Sequence, residues 1–235
     1  MRRARSRHRQ SGADDRDVRP RCGWPPARLA AWWAFLEGAA DSSPISRSRS
    51  GRFGHRIDRL PWKGPAVIVA NHASLVDILV GFGLYRPFKW VSKRSNFAIP
   101  FIGWNMRLNG YVELIRGDRD SVLSMLARCS VLIGQGNPVL LFPEGTRSHD
   151  GKLRPFKDGA FELAIEHGVP LIPVALHGTG SALPKHGMVL REHVDAHVDV
   201  LAPLDPVDYD SVAELRDASR DRIAAALCAR DLARA

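Results

Sequence analysis

From residue 57 onward the chain alternates short apolar runs with longer segments of helical period. Ala66–Ala70 (Ala-Val-Ile-Val-Ala) is apolar throughout, as a strand buried on both faces must be. Phe88–Ser92, Tyr111–Ile115, Val139–Phe142 and Leu171–Leu176 repeat that signature, and Val194–Leu201 alternates apolar with polar positions as a half-exposed strand does. Between them lie segments with helical spacing: Leu75–Leu84, which Ser74 can cap; Ser121–Ile133, stopped by Gly134; Lys157–Glu166; and Ser211–Cys228, where Ser211 and Glu214 stand at capping-box distance. Phe97–Met106 has no clean period, because Pro100 and Gly103 interrupt it. Strand and helix in regular alternation predict an α/β domain with a mostly parallel or mixed sheet flanked by helices. There is no internal repeat.

The segment before residue 57 has a different character. Residues 1–28 are rich in Arg, Ser, Asp and Pro, which predicts disorder, and residues 41–53 read as a second linker. The division expected is an Arg-rich arm with a short amphipathic segment over 1–56 and one globular domain over 57–235. Charge follows the same boundary. Residues 1–60 carry 14 Arg, no Lys and 6 acidic residues, a net +8 of the chain's +9. The remaining 175 residues hold 20 basic and 19 acidic side chains and are nearly neutral. A basic arm favours anionic surfaces, lipid or nucleic acid. No apolar run reaches the roughly 20 residues of a membrane span; Leu29–Leu36, with adjacent Trp32 and Trp33, is too short and suits either the headgroup layer or packing on the domain. Cys22, Cys129 and Cys228 are far apart, so no disulfide framework is expected, and Cys129 reads as a small core residue. His186, His193 and His197 have no ligand spacing with Cys or carboxylates, so no metal is expected. His177 closes a strand and reads as a loop histidine with its own partner, and His149-Asp150-Gly151 reads as an exposed turn.

Two stretches carry chemistry, and both follow strand candidates, where open α/β sheets place ligands. In Asn71-His72-Ala-Ser-Leu-Val-Asp77, an imidazole precedes a carboxylate by five positions. A carboxylate bonded to one ring nitrogen fixes the tautomer and leaves the other nitrogen free to take a proton from an alcohol near neutral pH. The pair alone is weak evidence: 9 His and 18 Asp in 235 positions yield about 0.7 such spacings by chance. Asp77 also stands where a capping acid would, one oxygen on the helix start and the other on His72. The second stretch is Phe142-Pro-Glu-Gly-Thr-Arg-Ser148. Gly145 permits unusual backbone angles, Thr146 and Ser148 supply hydroxyls, and Arg147 supplies a fork suited to phosphate. Glu144 is unexpected beside an anion; orienting Arg147 or accepting from a substrate hydroxyl is its expected task. Arg116 ends a strand candidate and can point into the same crevice, unless it pairs with Asp118 or Asp120. Lys93 ends another. No Gly-x-Ser-x-Gly elbow occurs, and no Ser or Cys nucleophile is required if the group to be transferred arrives already activated, as in a thioester.

Taken together, these residues resemble the 1-acyl-glycerol-3-phosphate acyltransferase family, the lysophosphatidate and glycerolipid acyltransferases. The resemblance rests on Asn71, His72 and Asp77; on Gly110 with Arg116 six residues later; on Phe142–Ser148 at every position; on Val169-Pro-Leu-Ile-Pro-Val174; and on Phe156-Lys157-x-Gly159-Ala160 between them. It spans roughly residues 57–205. It implies a glycerol-3-phosphate acyltransferase-like fold and direct acyl transfer from acyl-CoA or acyl-carrier protein to the free hydroxyl of a lysophospholipid, giving phosphatidate. His72 is then the base and Asp77 its orienter, while Arg116, Glu144, Gly145, Thr146 and Arg147 hold the glycerol phosphate. Asn71, Lys93 and Ser148 are further candidates, and the Pro170–Val174 strand lines the acyl side. No cofactor is implied beyond the donor. The expected setting is the cytoplasmic face of a membrane, peripheral or monotopic, without nucleic acid. The chain departs from the family pattern at Glu113-Leu114-Ile115 and at Ser95, which leaves the acceptor head group open. The other readings are an acyltransferase for another lyso-lipid, such as lyso-ornithine lipid, and a non-catalytic anionic-lipid-binding module.

Overall fold

A computed structural model describes residues 45–48, 51–56, 64–74, 76–82, 84, 87–148, 152–181 and 194–232, all within one compact unit, Ala39–Ala235. The expectations for residues 1–44, for the turn at 149–151 and for His186 and His193 lie outside these residues.

Eight strands form one mixed sheet. In chain order they are β1 (Ile45–Ser48), β2 (Gly51–Arg56), β3 (Val67–Ala70), β4 (Lys89–Lys93), β5 (Val112–Leu114), β6 (Val139–Leu141), β7 (Leu171–His177) and β8 (Val194–Val200). Across the sheet they run β1-β2-β8-β7-β3-β6-β4-β5. The stretch β7-β3-β6-β4-β5 is parallel, β8 joins β7 antiparallel, β2 joins β8 parallel and β1 closes a hairpin with β2. Thus the α/β class with a mixed sheet is as predicted. The reading of residues 41–53 as a linker is corrected: Ile45–Ser48 and Gly51–Arg56 extend the sheet edge. Their Ser, Arg and Gly composition has no strand period, and the pairing is supplied by β8, in register from Gly51 with Val194 to Arg56 with Asp199.

Among the described residues five helices cover the sheet: α1 (Val76–Phe82), α2 (Ile102–Leu108), α3 (Arg119–Gly134), α4 (Gly159–His167) and α5 (Val212–Leu232). Successive side chains of a strand point to opposite faces, and the core divides accordingly. Val67 and Val69 of β3 join Val139, Leu141, Leu171 and Ala175 in a layer filled from above by Met125, Cys129, Phe161, Ala164, Leu215 and Ile223 of α3, α4 and α5. Ile68 and Ala70 join Leu140, Ile172, Val174, Leu176 and Val198 on the other face, against Val76 and Val80 of α1. Cys129 is therefore a core residue as expected, its thiol pushed up to about 12 by burial.

Local chemistry sets the helix ends. Asp118 accepts from the N–H groups of Asp120 and Ser121, so α3 begins at Arg119, two residues before the expected start. Gly168, at φ 58°, ends α4. Ser211 Oγ accepts from Glu214 N, and the Glu214 carboxylate accepts from Asp210 N. Pro173, inside β7, falls where its ladder with β8 is irregular: Val174 pairs with Val200, but Leu171 pairs with Leu204, one residue out of step. A missing N–H is tolerated at such a bulge. Among the described residues no helix is long and apolar enough to cross a membrane.

Because β3, β4, β5, β6 and β7 are parallel, their C-terminal ends share one edge of the sheet. Asn71, Lys93, Arg116, Phe142 and His177 all stand at or just beyond that edge.

Candidate active site

The chain leaves β3 at Ala70 and is fixed at once by Asn71. Its Oδ1 accepts from Leu176 N at 2.8 Å and its Nδ2 donates to Leu176 O at 3.0 Å. This side chain continues the β3–β7 ladder by one rung after the backbone has turned away. Asn71 is thus an anchor for the residue that follows.

His72 is buried, with 6% of its surface exposed. Nδ1 lies 2.7 Å from Asp77 Oδ2. The same oxygen accepts from Ala73 N at 2.7 Å and Ser74 N at 2.9 Å. Backbone N–H groups can only donate, so Oδ2 is an acceptor and Nδ1 carries the proton. Nε2 is left with its lone pair, makes no hydrogen bond to the described residues and is not sealed from solvent. The expected division of labour in Asp77 is corrected here. One oxygen both caps α1 and holds the imidazole, while Oδ1 is buried without a partner.

The second loop is tied to the first through His72 itself. His72 N donates to Glu144 Oε1 at 2.7 Å, and His72 O accepts from Ser148 N at 2.8 Å. The imidazole stacks on Phe142, with ring centroids 4.2 Å apart. Glu144 Oε2 accepts from Arg154 N at 3.0 Å. Both Glu144 oxygens therefore bind backbone and neither contacts Arg147, which corrects the expectation that Glu144 orients that guanidinium. Burial pushes the Glu144 carboxyl upward, against the pull of its two N–H donors. Ser148 is likewise a loop tie: its hydroxyl donates to Lys152 O at 2.7 Å.

Three cations collect where the loops meet. Arg116 follows β5, and its pKa is lowered first by burial and then by the positive charge of Arg147. Two guanidinium groups near enough to feel each other make a place suited to an anion. Neither has a hydrogen-bonded or ion-paired partner among the described residues, and the alternative pairing of Arg116 with Asp118 or Asp120 is not formed. The third is Lys157, to which the sequence pattern assigned no role. Gly145 has φ 69°, and a Cβ built on it would lie 2.9 Å from Lys157 Nζ. The ammonium therefore lies over the turn, held there by Lys157 N donating to Pro143 O. Only the partly matching Phe156-Lys157-x-Gly159-Ala160 pattern hinted at it. Thr146 is half-buried within the same turn, and Lys93 is exposed at the end of β4. His177 lies apart from this chemistry. It is buried at the end of β7, its Nε2 3.1 Å from Asp199 Oδ2, and Arg230 approaches the same oxygen at 2.8 Å. Among the described residues no group of three or more His, Cys, Asp or Glu side chains converges as a metal site would require.

An imidazole fixed by a carboxylate, with its second ring nitrogen open and basic side chains beside it, is chemically able to take a proton from a hydroxyl on an anionic molecule. Comparison with known proteins gives the family. Residues 51–177 match the Acyltransferase family, and the chain belongs to it. It is 46% identical over 163 residues to a 1-acyl-sn-glycerol-3-phosphate acyltransferase of Chlamydomonas reinhardtii, covering 69% of this chain and 48% of that one. A chloroplastic 1-acyl-sn-glycerol-3-phosphate acyltransferase of Brassica napus is 43% identical over 161 residues, 68% of this chain and 46% of the relative. The chain thus spans about half the length of these curated relatives. The crystal structure of the 1-acyl-sn-glycerophosphate acyltransferase PlsC from Thermotoga maritima superposes with a TM-score of 0.65 at 29% identity, covering 73% of this chain and 68% of that one.

Proposed function

We propose that this protein transfers an acyl group from a thioester donor, acyl-CoA or acyl-carrier protein, to the free hydroxyl of 1-acyl-glycerol-3-phosphate, forming phosphatidate. The observation that carries the reading is His72: its side chain is braced by Asp77, and its own backbone is bonded to the loop that bears Arg147. A base and a phosphate cradle built this way cannot drift apart by more than the slack in two hydrogen bonds.

In this mechanism Arg116, Arg147 and Lys157 hold the acceptor's phosphate and set its hydroxyl against Nε2 of His72. Nε2 takes the hydroxyl proton as the oxygen attacks the thioester carbonyl. The carbon–sulfur bond breaks, and the imidazolium returns the proton to the departing thiolate. Asp77 steadies the transient imidazolium. General-base assistance of this kind contributes about 10²–10⁴ in rate. Glu144 and Asn71 act through others: the first ties the two loops, the second ties the His72 loop to β7. The reading places the enzyme at the cytoplasmic face of a membrane, peripheral or monotopic, where its lipid substrate resides.

A panel of acceptors tests the substrate assignment. With a radiolabelled donor, kcat/KM for 1-acyl-glycerol-3-phosphate should exceed that for uncharged 1-acylglycerol and for lyso-ornithine lipid by about tenfold or more, since the cation cluster gains more from a phosphate than from an uncharged or zwitterionic head group. Equal or higher kcat/KM for either of the other acceptors overturns it.

A further inference from the structure

The segment that follows β4 turns its large apolar side chains outward. After a single 3₁₀ stretch, Arg94–Ala98, the chain enters α2 with Phe101 69% exposed, Trp104 58% and Leu108 75%; Ile99 and Ile102 are exposed beside them. Apolar groups this large, contiguous along one ridge, are uncommon on a surface that faces only water. Nor is the ridge a loosely folded segment. Phe97 and Met106 anchor it in the interior. Gly103 lies so close to the Phe97 carbonyl that a Cβ there would meet its oxygen at 2.0 Å. Gly103 N donates to Ile99 O and Asn105 N to Phe101 O. Phe101 holds a positive φ of 63°, a conformation that a bulky side chain avoids unless its surroundings impose it, and its ring meets Trp104 edge-on at 5.2 Å.

We infer that this ridge, Ile99–Leu108, is a docking surface for an anionic phospholipid bilayer. Three observations select that occupant. Residues 93–108 contain Lys93, Arg94 and Arg107 and no acidic residue, so the apolar ridge has a cationic rim. Lys93 and Arg107 have no acidic partner among the described residues; Arg94 lies 4.0 Å from Glu113. Trp and Phe with flanking Lys and Arg are the composition that settles at the headgroup boundary. Second, a like-charged partner is disfavoured. A second copy pairing ridge to ridge would bring two cationic rims together. Third, the ridge grows directly out of the C-terminal end of β4, which is the sheet edge that presents His72 and Arg147. A bilayer touching the ridge therefore lies toward the same edge of the sheet as the His72 loop. This assignment rests on the proposed lipid substrate, but its test does not use the reaction.

The full-length chain, with no acyl donor present, is co-sedimented with vesicles of neutral phosphatidylcholine and with vesicles containing anionic phosphatidylglycerol. The triple variant Phe101→Ala/Trp104→Ala/Leu108→Ala is expected to partition onto the anionic vesicles at least tenfold more weakly than the native chain. Its thermal midpoint and its turnover on a soluble short-chain acceptor should be unchanged. The single variants Trp104→Ala and Leu108→Ala, which remove mostly exposed atoms, should each show part of the loss and guard against a folding defect in the triple. Arg107→Glu should weaken binding to anionic vesicles only. Unchanged partitioning of all these variants overturns the assignment, as does a native dimer in the ultracentrifuge that the triple variant converts to monomer.

Discussion

Asp77 Oδ2 takes three N–H donors, from His72, Ala73 and Ser74, so the structural task of this carboxylate and the catalytic one proposed for it cannot be separated by position. They can be separated by charge. An Asn oxygen can occupy the Oδ2 position and keep all three bonds, but it cannot offset a positive imidazole. Asp77→Asn should therefore lower kcat roughly 10²-fold while the acceptor KM stays within about twofold. Steady-state kinetics with intact kcat would detach Asp77 from the chemistry. Glu144 gives the complementary case. Glu144→Gln replaces one acceptor oxygen by an NH₂ that must face a backbone N–H, of His72 or of Arg154. The expected cost is about 1–3 kcal/mol, a fall of a few degrees in Tm, with activity lost only as the loops separate. A Tm equal to that of the native chain would mean the two loops are held by something else.

At the scale of elements, the phosphate-side turn depends on one residue having no side chain. Gly145→Ala demands a left-handed conformation of a residue with a Cβ and sets that Cβ against Lys157. The acceptor KM should rise by about tenfold or more with a smaller change in kcat, read from the same kinetics. An unchanged KM would show that neither the turn's shape nor the ammonium above it matters to the acceptor. The strands and helices around this turn were legible because their burial is one- or two-sided and regular: Val67–Ala70 alternates faces residue by residue, as its composition required. The motif loops were legible too, since their residue types have few other reasons to coincide. Three things were not. Ile45–Ser48 and Gly51–Arg56 carry no strand period, and their pairing comes from the fold: β2 lies on β8 and β1 on β2. The α2 segment has Pro100 and Gly103 within a few positions, and its outward apolar face defeats a reading that assumes apolar means buried. Lys157 reaches Gly145 across twelve positions of sequence, a proximity created by the fold and not by spacing.

For the molecule as a whole, the far side of β7 sets a limit on acid tolerance. Burial lowers the pKa of His177 below its ordinary 6.5; Asp199 pulls it up, and Arg230 and His197 push it further down. A histidine whose folded pKa is depressed contributes stability above its unfolded value and loses it as pH falls toward the folded one. The native Tm should accordingly fall as pH is lowered from about 7.5 toward 5, and His177→Gln should remove part of that slope. Parallel Tm–pH curves for the two proteins would exclude His177 as a contributor. The same strand is gripped by Asn71, so acid loosening of β7 reaches the His72 loop through the Leu176 hydrogen bonds. The shared edge of the parallel strands thus joins stability to function: every loop that bears on the chemistry leaves the sheet there. The imidazole at that edge is decisive, and the most direct measurement is turnover of the purified full-length His72→Ala variant, with 1-acyl-glycerol-3-phosphate and a labelled thioester donor. The expected result is a loss of about 10²–10⁴ in kcat with Tm and acceptor binding preserved. Turnover at the native rate would contradict it.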